Sequence, residues 1–271
     1  MTRLRRVARN VSDLARMRAF YTEVLGFSQV GPVIEDTELA DALRIKNIYC
    51  VSMMLGSEIL ELTACTPPGA PYPAECTANA TYFQHIALIT TDILATYARA
   101  LRAGVQPISQ GGPQRLPAEA GGARAWKFRD PDGHPLELLQ LPENGKWHGN
   151  GEILGYDHSA ISVRDTPSSI KFYESIGLQV RHSHLNKGPA QVRLDALPNA
   201  EVEVVGMGNA AGPPYIELLG YRGTAKHELS YIQPNDIAAD RLVFATEANE
   251  LFWMFDPDGH VVVMDGRMKP R

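Results

Sequence analysis

The chain has 271 residues, 44% of apolar types and 21% charged, which is enough for two domains and a real core. Its formal net charge of -5 provides no field that would attract nucleic acid or an anionic membrane. Three cysteines without a CxxC pair argue against a disulfide framework. The start MTRLRRVARNVSDL has no apolar signal-peptide stretch, and no apolar run approaches bilayer-spanning length. A reducing, cytoplasmic setting is therefore expected.

The first predicted strand carries Arg3, Arg5, Arg6 and Arg9, a pattern expected on a solvated strand or turn. Asp13 follows at a helix-capping position. Phe20 with Val24, and Tyr21 with Leu25, are spaced i,i+4 and should face a sheet, and Gly26 fits the left-handed residue that stops the helix. Glu61 lies in a later strand, ILELT, before the turn-rich TPPGAPYPAE. The next strand contains His85, and the helix DILATYARALRAG starts at Asp92. GGPQRLPAEAGG lacks the strand–loop–helix setting of a phosphate cradle and reads as a loop over a cavity mouth. Trp126 and Phe128 alternate in a strand that runs into a tight DPDG turn at Asp130, and Glu137 lies in the returning strand.

After PENGKWHGNGE the pattern starts again. His158, Asp165, Phe172 and Gly177 repeat the first strand and helix, and each capping Asp precedes its Phe by seven residues. His182 and His184 alternate on one strand, and Tyr215 and Glu217 on another. A second DPDG turn starts at Asp256, where Phe252, Trp253 and Phe255 match the aromatic residues before Asp130. Four units result: to about Thr66, Tyr82 to Leu141, Tyr156 to Tyr221, and about Leu229 to the end. The first three read βαβββ. Only sixteen residues separate Asp236 from Phe252. That is too few for a helix plus a strand, so the fourth unit should lose its helix.

The strand–Asp–helix units with Phe-Tyr, and the closing PDG hairpin ending in LEL, resemble the vicinal oxygen chelate superfamily of glyoxalases, bleomycin-resistance proteins and extradiol dioxygenases. The resemblance implies an α+β fold of four βαβββ modules, the fourth truncated, forming two cupped, barrel-like sheets. Divided along the chain, modules 1 and 2 make a domain over 1–141, and module 3 with the truncated module 4 makes a second over 152–271. It also implies inward ligands on the first strand of a unit, often His, and on the last, often Glu. Seven residues before each capping Asp stand Arg6, His85, His158 and Leu229. The last strands hold Glu61, Glu137, Glu217 and Val263.

A Glu buried between apolar strand residues needs a partner. Matched His and Glu positions fit one divalent ion, Zn, Ni, Mn or Fe(II). If units 2 and 3 face each other, one cup gathers His85, Glu137, His158 and Glu217. If units 1 and 2 pair instead, Glu61 joins His85 and Glu137 as an alternative ligand. The resemblance then implies proton transfer on a small substrate with vicinal oxygens, of isomerase or lyase type, with Glu137 or Glu217 as base. Alternation along their strands makes Trp126, Phe128 and Tyr215 candidate substrate contacts in an apolar pocket, and a helix–sheet core is the other reading of Trp126 and Phe128. Two alternatives stay open, an Fe(II) extradiol-type dioxygenase and a metal-free, drug-sequestering binding protein. The expected partner is a small molecule, not nucleic acid or membrane, and a homodimer is left open.

Overall fold

The computed structural model describes residues 2–118, 121–142, 151–209, 214–223, 232–247 and 250–267. Unit 1 comprises β1 (Arg3–Asn10), α1 (Leu14–Glu23), β2 (Ser28–Glu35), α2 (Thr37–Leu43), β3 (Asn47–Leu55) and β4 (Glu58–Thr66). Unit 2 comprises β5 (Gln84–Thr90), α3 (Ile93–Arg102), β6 (Gln106–Pro107), β7 (Gln114–Arg115), β8 (Arg124–Arg129) and β9 (Pro135–Gln140). Unit 3 comprises β10 (Ile153–Val163), α4 (Thr166–Ser175), β11 (Gln179–Asn186), α5 (Pro189–Asp195), β12 (Glu201–Gly208) and β13 (Tyr215–Arg222). Unit 4 is reduced to β14 (Arg241–Ala245), β15 (Leu251–Phe255) and β16 (Val261–Asp265), without a helix among the described residues. The short helices α2 and α5 were not anticipated from the sequence.

Local chemistry explains the helices. Asp13 accepts from the Arg16 amide at 2.9 Å, and Asp92 accepts from the Leu94 and Ala95 amides at 3.0 and 3.1 Å. Asp165 stands at the N-cap of α4 but accepts from the Ser168 hydroxyl instead of a backbone amide. Gly26 and Gly177 take positive φ (77° and 97°) just beyond α1 and α4, as a helix stop requires. Phe20, Tyr21 and Leu25 are buried in the central core.

Strands pair across the sequence halves. One sheet runs β15-β16-β14-β1-β4-β3-β2 and joins units 1 and 4. The other runs β11-β12-β13-β10-β5-β9-β8-β6 and joins units 2 and 3. Each half of the chain therefore contributes one unit to each sheet. The halves are held together internally by a second set of contacts. Tyr21 of α1 donates to Asp130 of the DPDG turn of unit 2, and Tyr173 of α4 donates to Asp256 of unit 4. Ser12 and Arg164, one residue before each capping Asp, bond Asp132 and Asp258 in the same two turns. His134 is fully buried between Asp130 and the Ile237 carbonyl, and His260 bonds the Ser162 carbonyl.

Three expectations are corrected here. The arginine run is not a solvated strand: Arg9 is completely buried, bonded to Asp240 at 2.8 Å and to the Tyr21 hydroxyl at 2.8 Å. Asp236 caps no helix. It holds a loop by accepting from the Ala70 and Gln233 amides. Leu229 lies outside the described residues, and the first strand of unit 4 is β14. There Arg241 pairs with Ala8 as His158 pairs with Ala87, so Arg241, not Leu229, occupies the His-equivalent place.

Candidate metal centre

The register of the second sheet brings the predicted residues together. His85 lies opposite Ala160 and His158 opposite Ala87, while Ala87 partners Glu137 and Ala160 partners Glu217. Alternate strand residues share a face, so all four side chains converge on one concave surface. His85 Nε2 lies 2.9 Å from Glu137 Oε2, and His158 Nε2 lies 3.3 Å from Glu217 Oε2. The ligand atoms of His85, Glu137 and His158 all fall within 4.8 Å of one another, and all three residues are buried.

A bulge completes the site. The β5–β10 register shifts between Tyr156 and His158, inserting Asp157. Neighbours in a regular strand point to opposite faces, but here Asp157 Oδ2 bonds both His158 Nδ1 (2.8 Å) and the Tyr215 hydroxyl (2.8 Å). The carboxylate thus orients the imidazole from behind and leaves Nε2 directed at the cluster. That Nε2 is buried and makes no hydrogen bond, with the Glu217 carboxylate 3.3 Å away as its ionic neighbour. Two imidazoles and adjacent carboxylates form a donor set that suits a borderline divalent ion, so the residues fit the implied metal.

The electrostatics divide the four groups. Burial lowers the His85 pKa, and Lys127 adds to this, so His85 is a neutral imidazole. Burial would raise Glu137, but Lys127 and the two histidines outweigh it and hold its carboxyl at about 2. Burial would lower His158, but Glu217, Asp157 and Glu137 outweigh it and raise it to about 9. Glu217 is lowered against its burial by His158 and His182.

The cluster opens into a cavity of about 310 Å³. Its polar lining includes Lys127, His182, His184, Asn186, Gln191 and Tyr215, and its apolar lining includes Leu116, Leu139 and Val204. Gly121 and Leu116 of the glycine-rich loop also line it; residues 119–120 lie outside the described set. His182 Nε2 lies 3.4 Å from Glu217 Oε1, and its ring stacks on His184. Lys127 is 3% exposed and bonds Asp195 of α5 at 2.7 Å; Asp195 also accepts from Gln191 and Tyr221.

Two sets of candidates lie elsewhere. Trp126 and Phe128 do not line the cavity. They are fully buried on the helix side of the sheet, stacked on each other and, for Trp126, against Tyr97 of α3. Lys127 pairs with Glu137 across the strands, so Lys127 is the residue on the cup face and its aromatic neighbours point away. Glu61 is in the other sheet, where it pairs with Arg6 at 3.0 Å. Sequence reasoning missed Lys127 and Asp157. Counting parity back from Glu137 across the hairpin would have found Lys127; no local signal marks the bulge.

Residues 3–138 match the model of the Glyoxalase/Bleomycin resistance protein/Dioxygenase superfamily. Glyoxalase I from Zea mays superposes with a TM-score of 0.63 at 18% identity, covering 97% of this chain and 92% of that one. Its V278E mutant gives the same TM-score at 16% identity. A putative dioxygenase from Bacillus subtilis subsp. subtilis str. 168 superposes with a TM-score of 0.56 at 12% identity, covering 96% and 84%. Likeness at these identities speaks for the fold. A search of curated proteins found no match. No helix among the described residues is long and apolar enough to cross a membrane.

Proposed function

The chain belongs to the Glyoxalase/Bleomycin resistance protein/Dioxygenase superfamily, and on that premise we propose that it is a divalent-metal-dependent enzyme of glyoxalase-like type. Its reaction is proton transfer on a small substrate with vicinal oxygens. The observation that carries this reading is the convergence of His85, Glu137, His158 and Glu217 in one buried cup, with His158 Nε2 directed inward, 3.3 Å from Glu217 Oε2.

His85, Glu137 and His158 would hold the ion, with Glu217 at its margin. When bound, the ion supplies a Lewis acid for two adjacent substrate oxygens. The chain's own groups divide the remaining work. Glu137, held at about 2 beside Lys127, is a weak base and a good ligand. Glu217 is the better base because it is the carboxylate with a route for the proton: His182 contacts it at 3.4 Å and has a side chain 39% exposed. The Lys127 ammonium offers donors to an anionic or carbonyl-bearing substrate, and the Tyr215 hydroxyl, whose proton goes to Asp157, offers an acceptor. The cavity volume suits a small molecule.

The test is elemental analysis of the purified protein beside His85→Ala and His158→Ala, followed by Glu217→Gln. About one metal per chain, lost in both histidine variants, is expected. Glu217→Gln should keep the metal and lose turnover. Absence of metal from the wild type after supplementation would sink the enzymatic reading and leave a metal-free binding protein. Iron, with oxygen consumed in turnover, would favour ring-cleaving dioxygenation instead.

A further inference from the structure

The cavity at the metal centre continues past the metal ligands toward α5. Glu217, Leu219 and Tyr221 alternate along β13 and all line it. At the usual rise of a strand, Tyr221 stands about 13 Å beyond Glu217. Its row runs on through Val202 to Asn186, which line the cavity too. Here α5 bridges units 3 and 2: Asp195 bonds Tyr221 of β13 and Lys127 of β8, and Leu194 joins the apolar cluster of Leu116 and Leu139.

The hydrogen bonds at this end leave acceptors over. Asp195 Oδ2 accepts from Gln191 Nε2 at 2.6 Å and from the Tyr221 hydroxyl at 2.9 Å, while Oδ1 accepts from Lys127, which also neutralises the charge. A carboxylate can only accept, so it fixes how both neighbours turn. Gln191 gives it the amino end of its carboxamide, and Gln191 Oε1 is left buried without a hydrogen bond. The Tyr221 oxygen has given up its proton and can only accept. Asn186 Oδ1 is also buried without a hydrogen bond. Gln191 and Asn186 are 3% and 9% exposed, and both line the cavity. A buried acceptor left in this state is costly, and a ligand's donor offsets that cost. Among the described residues, the acidic and basic groups of the lining are Lys127, Glu137, Asp157, Glu217 and the histidines. None of them lies in the row of Tyr221, Val202 and Asn186.

We infer that the α5 end of the cavity is a specificity subsite for a neutral hydrogen-bond donor, a hydroxyl or an amide N–H, carried at the end of the substrate away from its vicinal oxygens. The inference rests on the metal-dependent reading above, which puts those oxygens at the other end. Gln191, Tyr221 and Asn186 receive the donor, and Val204 and Leu219 flank the apolar chain between the two ends. A site built this way rejects an analogue that lacks the donor, because its own buried acceptors then stay unpaired.

Calorimetric titration of the purified, metal-loaded protein tests this with hydroxamates, whose two adjacent oxygens suit the metal end. Acetohydroxamate is the head alone. The others carry an unbranched tail of about four to six carbons, chosen for the span between the two ends. The tail ends in hydroxyl, carboxamide, methyl, carboxylate or ammonium. At the best tail length the hydroxyl or the carboxamide probe should bind about fivefold tighter than the methyl probe, and which of the two leads distinguishes the sources. The charged tails should bind no tighter than methyl. Gln191→Leu should abolish the preference and leave the methyl probe's affinity and the metal content unchanged. If that variant does not fold, Asn186→Leu should reduce the preference. Binding of acetohydroxamate with no preference among the tails, tightest binding of a charged tail, or an undiminished preference in the folded Gln191 or Asn186 variant would overturn the inference and leave the metal-dependent reading standing. Failure of acetohydroxamate to bind, with no metal in the protein, would overturn both.

Discussion

Metal affinity is predicted to rise with pH between about 6.5 and 9, and the slope identifies His158. A free imidazole titrates near 6.5, whereas the carboxylates around His158 raise it to about 9 in the metal-free fold. A raised folded-state pKa means that the protonated form is favoured by folding. This stability, about 3 kcal/mol for roughly 2.5 pH units, is present below 6.5 and is lost as the pH rises through 9. A metal needs the same Nε2 without its proton. Glu137, held at about 2, and neutral His85 bring no proton of their own into this range. One proton therefore leaves per ion bound. Affinity should climb about tenfold per pH unit, about 300-fold across the window, and level off above 9. Chelator-competition titrations measure the slope, and calorimetry in buffers of different ionisation enthalpy counts the proton. Glu217 is the largest carboxylate contribution to the shift, so Glu217→Gln should move the levelling to lower pH. A flat profile from 6.5 to 9, a proton count of zero, or an unchanged break in Glu217→Gln would refute the reasoning.

Three further outcomes are expected. Tyr21→Phe should destabilise by about 3 kcal/mol in urea unfolding and Tyr173→Phe by roughly half that, because the Tyr21 hydroxyl bonds both Arg9 and Asp130 while Tyr173 bonds Asp256 alone; equal costs would contradict the network described. Lys127→Met should cost about 3–5 kcal/mol by stranding buried Asp195, and adding Asp195→Asn should recover part of it; strictly additive losses in the double-mutant cycle would exclude coupling. Phe252, 41% exposed on β15, should tolerate Ser within about 0.5 kcal/mol, and a large drop in melting temperature would show that something covers it.

Much of the architecture is legible in the chain itself. The recurrence of capping Asp, Phe-Tyr, stopping Gly and DPDG turn marks the repeat units, because each feature answers a local need: an amide to cap, a φ that only Gly takes readily, a proline-set turn. β4 ends at Thr66 and β9 at Gln140, at or beside the predicted ends of units 1 and 2. That the described residues of unit 4 hold no helix follows from the short chain between Asp236 and Phe252. His85, Glu137, His158 and Glu217 are readable as positions because strand parity is fixed by the turns beside them.

What the sequence could not decide is what depends on partners far along the chain. It named the four candidate residues and admitted two ways of pairing the units; only the sheet order, unit 1 with 4 and unit 2 with 3, puts those residues in one cup and Glu61 in the other. Trp126 and Phe128 are the exception, since parity counted from Glu137 across the DPDG hairpin to Lys127 separates pocket from core without any distant partner. Asp157 became a support for His158 only through a bulge, a mismatch between two strands that neither strand encodes alone. Arg241 took the His-equivalent place because β14 pairs with β1, although a count back from Asp236 pointed to Leu229. Local propensity acts over a few residues and is written in order along the chain. Register and facing are set by burial across strands distant in sequence, as in the pairings of Ala87 with His158 and of Ala8 with Arg241, and so appear only in the folded molecule.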